Sequence, residues 1–235
     1  MSENKRHSLG QHFLTSDLIA KSIVNLAAIK KSDIVLEVGT GRGILVPYLC
    51  RKAKMVISVE KDYNLYLDAK KRFSHTTNLA LEHGDAFETD ADFTVFVSNL
   101  PYSESRTAIE WLVQRKFSHA VIMVQKEFAQ KLLAEKGKGR RAISVLASYC
   151  MEMTKLMDVK KTNFEPQPKV DSVVLYLEPK QSVSKDITMA VNKLFSFKRK
   201  TIRNVAKQFG LTIDSDKRLE DLSDGEIIDI AKKII

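Results

Sequence analysis

An α/β fold, with a mostly parallel sheet, crossover helices and a small C-terminal helical domain, is predicted by three features of this sequence. Short runs rich in β-branched residues alternate with helix-period stretches over most of the chain. The first clear run leads into a glycine-rich turn, Gly39-Thr40-Gly41-Arg42-Gly43. After Glu178-Pro179-Lys180-Gln181-Ser182 the β-rich pattern stops, and the remainder reads as helical to its end.

The strands expected from these runs are Ile34–Val38, Met55–Val59, Leu79–His83, Thr94–Ser98 and Ala120–Val124, with later ones near Met153–Val159 and Ser172–Leu177. Helices are expected between them. Asp17–Ala28 carries Leu18, Ile19, Ile23, Val24 and Leu26 on a helical stripe, and Arg106–Gln114 places Ile109, Leu112 and Val113 in the same way. The composition break divides the chain into a domain of residues 1–179 and a helical domain of residues 180–235. The latter, about 55 residues, is too short to bury much by itself.

The chain has 235 residues, 44% hydrophobic and 29% charged, as expected of a soluble globular protein. No apolar run approaches the roughly 20 residues needed to span a bilayer. No secretion signal is legible at the N-terminus, so a cytoplasmic location is expected; a monomer is expected as well. The two cysteines, Cys50 and Cys150, sit in helical segments without a second cysteine at metal-ligand spacing, and the five histidines are scattered. No metal is expected. A net charge of +9 favours an anionic partner, because each neutralised phosphate releases condensed counterions.

Glu37-Val38 leads into the glycine turn, and glycine lets a ligand approach bare backbone there. A dinucleotide fingerprint would need its third glycine at position 44, which is Ile44; the glycine is Gly43. An acid at Glu37 suits a ligand with a positive amino group instead. Glu60, ending the second strand, suits the two hydroxyls of a ribose. Asp85, in Gly84-Asp85-Ala86 after the third, suits an adenine amine. Amino acid, ribose and adenine in that order describe S-adenosylmethionine, whereas the glycine loop alone is equally a turn beside solvated acids.

The fourth strand ends at Asn99-Leu100-Pro101-Tyr102. An aromatic amine is a poor nucleophile because its lone pair is delocalised into the ring. The side-chain carbonyl of Asn99 and the backbone carbonyl of Leu100 suit the two amine hydrogens, favouring a pyramidal nitrogen. Pro101 stiffens the turn and removes a competing donor, and Tyr102 offers a ring on which a base stacks. By themselves these four residues are also an ordinary strand-ending turn. DNA adenine and glutamine-amide methyltransferases usually carry proline where Leu100 stands.

With these residues in hand, nearly the whole chain resembles the rRNA adenine dimethyltransferases of the KsgA type, with the Erm methyltransferases as close relatives. Gly10-Gln11-His12-Phe13-Leu14 matches the family's N-terminal motif, and Phe164-Glu165-Pro166-Gln167-Pro168-Lys169-Val170-Asp171-Ser172 its late motif. The resemblance implies a Rossmann-like class I methyltransferase sheet. It implies cofactor contacts from Gln11, His12, Leu14, Glu37, Gly39, Gly41, Glu60, Asp85, Ala86 and Asn99, with His12 and Leu14 acting chiefly through backbone. The target adenine would meet Asn99, Leu100, Pro101 and Tyr102, with Phe164 as a second aromatic wall opposite Tyr102; read without the family, Phe164 before its proline-rich turn is core packing.

Phe195-Ser196-Phe197-Lys198-Arg199-Lys200-Thr201-Ile202-Arg203-Asn204 resembles the basic helix opening the C-terminal domain of KsgA-type enzymes. It implies RNA contacts from Lys198, Arg199, Lys200 and Arg203, with Arg140 and Arg141 adding phosphate contacts near the pocket. The implied activity is N6-dimethylation of two adjacent adenines in the 3′-terminal hairpin of small-subunit rRNA. Erm-type methylation of a large-subunit adenine and a non-catalytic RNA-binding assembly factor are the alternatives. Ser103-Glu104-Ser105-Arg106 departs from the family's usual sequence after the tyrosine.

Overall fold

A computed structural model describes residues 11–137 and 139–235; Gly10 of the N-terminal motif and Lys138 lie outside them. The strands are β1 (Phe13–Leu14), β2 (Ile34–Val38), β3 (Met55–Glu60), β4 (Leu79–His83), β5 (Val95–Asn99), β6 (His119–Gln125), β7 (Met151–Val159), β8 (Phe164–Glu165) and β9 (Ser172–Pro179). The helices are α1 (Asp17–Leu26), α2 (Val46–Lys52), α3 (Tyr63–Arg72), α4 (Ser105–Leu112), α5 (Lys126–Leu132), α6 (Ala142–Cys150), α7 (Lys185–Ser196), α8 (Ile202–Lys207) and α9 (Asp224–Lys232). Every expected strand is present, with ends shifted by two residues at most.

Among the described residues the main sheet has seven strands in the order β4-β3-β2-β5-β6-β9-β7. Strands β4, β3, β2, β5 and β6 run parallel, and β9 lies antiparallel beside β6. From β2 the chain builds outward through β3 and β4, then returns to β5 on β2's other side. That reversal places the ends of β2 and β5 at the crevice where sheets of this kind hold ligands. A separate two-stranded pairing, Leu14 opposite Phe164, joins β1 to β8.

Contacts divide the chain into two compact units. Of the described residues, the first comprises 11–107, Phe117–Lys126 and Thr154–Glu178, and the second Ala108–Lys116, 127–137, 139–153 and Pro179–Ile235. The composition break near residue 180 falls where the second unit takes over the rest of the chain, but that unit also draws on two earlier segments.

In the first unit, Val35, Val56, Val95, Val97, Val121, Met123 and Val174 of the sheet form one core with Leu45 and Leu49. Helix α1 presents Ala20, Ile23 and Val24 to it, joined by the capping residue Ala27, whereas Leu18 is 73% exposed. The stripe is therefore rotated from the one the apolar residues predict. The side chain of Ser16 caps α1 by accepting from the amide of Ile19. The helix stops at Leu26, two residues early, because Ala28 adopts a left-handed φ of 46°, a conformation costing a non-glycine residue about 1 kcal/mol.

In the second unit α6, α7 and α9 pack together. Ser184 caps α7, and Ser223 with Glu226 forms a reciprocal capping box at α9. The basic stretch is not one helix. Helix α7 ends at Ser196, Phe197 caps it, and α8 starts only at Ile202. Thr201 is held extended by its bridge to Arg218, with the amide of Ile202 donating to the Lys217 carbonyl, so a tertiary pairing breaks a locally helical sequence.

Candidate active site

The C-terminal ends of β2, β3, β4 and β5 converge in the first unit, each carrying one of the polar residues singled out in the sequence. Two adjoining cavities lie there. Gln11, His12, Glu37, Gly39, Glu60 and Asn99 are among the residues lining one. Gly39, Glu60, Lys61, Asp85, Ala86 and Glu104 are among those lining the other, of about 370 Å³. Gln11, Gly39, Glu60 and Pro101 border both.

Gly39 has φ 79°, and a Cβ added there would stand 3.5 Å from the ring of Pro101. The glycine turn and the Asn99–Tyr102 turn thus approach through a position with no side chain. At Gly43 an added Cβ would lie 2.5 Å from the ring of Phe73, so that glycine serves helix packing. Its displacement from the dinucleotide spacing has a steric cause.

Glu60 is 4% exposed. Its Oε2 accepts the amide of Gly41 and its Oε1 that of Asp62, both at 2.8 Å. Each carboxylate oxygen keeps a lone pair. Burial raises its pKa above the ordinary carboxylate value against these backbone donors. Glu37, 1% exposed, is pushed up to about 8 by burial, opposed by a hydrogen bond from Ser58 and reinforced by the charge of Glu60. Asp85 is the opposite case: a hydrogen bond from Lys61 at 2.8 Å holds it below its usual range. Its other oxygen accepts the amide of Phe87.

Asn99 ends β5 and Leu100 is buried. The hydroxyl of Tyr102 lies 2.7 Å from that of Ser172, which is fully buried at the start of β9. Burial raises the Tyr102 pKa, with the Ser172 hydrogen bond opposing. The imidazole of His12 packs against the Tyr102 ring with centroids 5.2 Å apart, and its Nδ1 lies 2.7 Å from the Pro166 carbonyl. Motifs more than 150 residues apart are thereby joined at Tyr102.

Phe164 is a correction. Expected from the resemblance as a second aromatic wall and from the residues alone as core packing, it is 4% exposed and belongs to the hydrophobic core, where β1–β8 pairing sets it opposite Leu14. The ring against Tyr102 is that of His12. Leu14 is also in the core, 2% exposed, and still lines the first cavity. Sequence reading missed Lys61 and Ser172 as partners of Asp85 and Tyr102; neither pairing leaves a local signal.

Of the basic residues, all in the second unit, Arg140 is a second correction. It is 2% exposed, donates to the Leu222 carbonyl and pairs with Asp224, which also accepts from Ser148. A buried, paired guanidinium is a tie between segments and not a phosphate contact. Arg203 is already occupied by Asp214 and Asp216. Arg141, Arg199 and Lys200 are exposed and Lys198 half-buried, the last three lying between α7 and α8. Cys50 and Cys150 are free thiols at α2 and α6. Among the described residues no group of His, Cys, Asp and Glu is arranged to hold a metal.

The family model described as ribosomal RNA adenine dimethylase matches residues 2–235. A Thermotoga neapolitana protein named ribosomal RNA small subunit methyltransferase A is 36% identical over 235 residues, covering 96% of this chain and 90% of that one. A Methanopyrus kandleri protein named probable ribosomal RNA small subunit methyltransferase A is 34% identical over 208 residues, 85% of this chain and 75% of its own. Among solved structures, a dimethyladenosine transferase from Plasmodium falciparum superposes with TM-score 0.80 at 28% identity, covering 93% of this chain and 96% of that one. The 23S rRNA methyltransferase ErmE superposes with TM-score 0.67 at 20% identity, covering 94% and 99%, a likeness of fold.

Proposed function

The chain belongs to the ribosomal RNA adenine dimethylase family, and on that premise we propose that it uses S-adenosylmethionine to dimethylate N6 of two adjacent adenines in the 3′-terminal hairpin of small-subunit rRNA. Its partner in this reading is rRNA within a small ribosomal subunit or its precursor, and it works as a cytoplasmic monomer. Among the described residues no helix is long and apolar enough to cross a membrane.

The observation that carries the reading is the convergence of Glu37, Glu60, Asp85 and Asn99 at four strand ends around adjoining cavities. The residues fit the cofactor: Glu60 keeps lone pairs for two ribose hydroxyls, Gly39 leaves backbone bare, and Glu37 offers a carboxyl to an ammonium. Asp85 is ionised and fixed for an adenine amine. When bound, S-adenosylmethionine supplies an electrophilic methyl group.

The protein's part is positioning and electrostatic preorganisation. Asn99 Oδ1 and the Leu100 carbonyl accept the hydrogens of the target amine, aiming its lone pair at the methyl carbon. Pro101 adds no competing donor. The Tyr102 ring, tied through its hydroxyl to Ser172, holds the base by stacking. The proton released from N6 passes to water.

The test is methylation of purified small subunits, or their precursor, from cells lacking this modification, with the product mapped by primer extension. Stops at two adjacent adenines of the 3′-terminal hairpin are expected. A product confined to large-subunit rRNA would overturn the assignment.

A further inference from the structure

Glu37 is a buried carboxyl that forms no ion pair with the described residues. The Ser58 hydroxyl donates to its Oε2 at 2.5 Å, and Thr40 Oγ1 stands 2.6 Å from that same Ser58 oxygen. Since Ser58 has given its hydrogen to Glu37, Thr40 is the donor of the second contact. A chain of neutral hydroxyls therefore ends on the carboxyl. Oε1 of Glu37 makes no hydrogen bond with the described residues, and Glu37 lines the cavity shared with His12, Arg42 and Glu60.

Among the described residues none of the neighbouring ionisable groups compensates a negative charge. Glu60 on β3 is of like sign. Cys50 on α2 is a thiol that burial, with Glu37's own charge, pushes up to about 11. The Arg42 guanidinium is spent on the Glu165 carboxylate at 2.6 Å and on the face of Phe13. The ring of His12 is engaged by the Pro166 carbonyl and Tyr102. An ionised carboxylate in such a place is costly, and the group answers by holding its proton.

We propose that Glu37 selects the ligand by charge: its carboxyl is neutral in the ligand-free protein and releases its proton to solvent when a ligand ammonium docks beside it. The inference rests on the cofactor reading above and deepens it. Charge balances, since a neutral acid becomes a carboxylate paired with the ammonium and one proton enters the buffer. Once the cavity empties, the carboxyl takes a proton back.

The test is calorimetric titration of the whole chain with S-adenosylhomocysteine at pH 7, repeated in buffers of different ionisation enthalpy. This ligand carries the ammonium and adenosine without a reactive methyl. Wild-type protein should release close to one proton per ligand bound. From a carboxyl near 8, affinity should tighten about tenfold per unit between pH 6 and pH 7. The deamino analogue of the same ligand, titrated into wild-type protein, should release none. Glu37→Gln should bind S-adenosylhomocysteine without proton release and with the pH dependence removed.

Ligand binding without proton release in wild-type protein overturns the proposal. So does equal release by the deamino analogue, a measurement that does not depend on the variant folding. If S-adenosylhomocysteine and S-adenosylmethionine both fail to bind wild-type protein, the cofactor reading falls, and the inference with it.

Discussion

The amide of Gly41 donates to the carboxylate of Glu60 across 2.8 Å, so the turn leaving one strand is fastened to the residue ending the next. The remaining Glu60 oxygen holds Asp62 at the start of the connection to α3 in the same way. Glu60→Ala should therefore remove a ligand contact and loosen two turns together. We expect at least a tenfold weaker Kd for S-adenosylhomocysteine by calorimetry, with a stability loss of about 1–3 kcal/mol from the orphaned amides. Unchanged affinity would reject the ribose role.

Asn99→Ala should leave RNA binding nearly intact while lowering single-turnover methylation about a hundredfold, the scale found when one preorganised hydrogen-bonding group is removed from a reaction centre. Paired measurement of RNA Kd and rate checks this. An unchanged rate would remove Asn99 from the chemistry.

The Tyr102–Ser172 contact separates anchoring from stacking. Tyr102→Phe keeps the ring and loses the hydroxyl bond, so a stability loss of about 1 kcal/mol is expected with a nearly wild-type rate. Tyr102→Ala removes the stacking face, worth about 1–3 kcal/mol per base, and should slow single turnover by roughly one to two orders of magnitude. Equal rates for the two variants would deny the ring a role.

The basic residues of the second unit divide into two classes. Lys198→Glu with Arg199→Glu should weaken RNA binding and reduce the salt slope by about two phosphate contacts' worth, or more if the new charges repel. Arg140→Ala should leave the slope alone and cost about 1–3 kcal/mol in denaturant unfolding, because the Leu222 carbonyl and the partly exposed Asp224 lose their donor. A reduced slope for Arg140→Ala would restore it to the RNA interface.

Glu37 also makes a stability prediction with a defined sign. Its folded pKa, about 8, lies above the ordinary carboxylate value of 4.5, so its contribution is fully present below about 4.5 and declines as pH rises toward 8. Between those values the folded state binds more protons than the unfolded one. Wild-type protein should lose roughly 3 kcal/mol from this group between pH 4.5 and 7. Glu37→Gln should lack that decline, as urea unfolding at several pH values will show.

The sequence by itself determined the sheet strands and the residues at their ends. Glu37, Gly39, Glu60, Asp85 and Asn99 were legible because strand period and turn chemistry are local properties, and a parallel sheet brings successive strand ends to one edge. Tertiary structure alone decided which charged and aromatic residues are available. Arg140 reads as a surface cation until Asp224, 84 residues later, pairs with it, and the pocket wall that the family resemblance implies for Phe164 gives way to core once it pairs with Leu14. The basic stretch at Lys198–Lys200 reads as helix until the Thr201–Arg218 bridge interrupts it. In each case the deciding partner is distant in sequence, and burial and pairing depend on that partner and not on the neighbours along the chain.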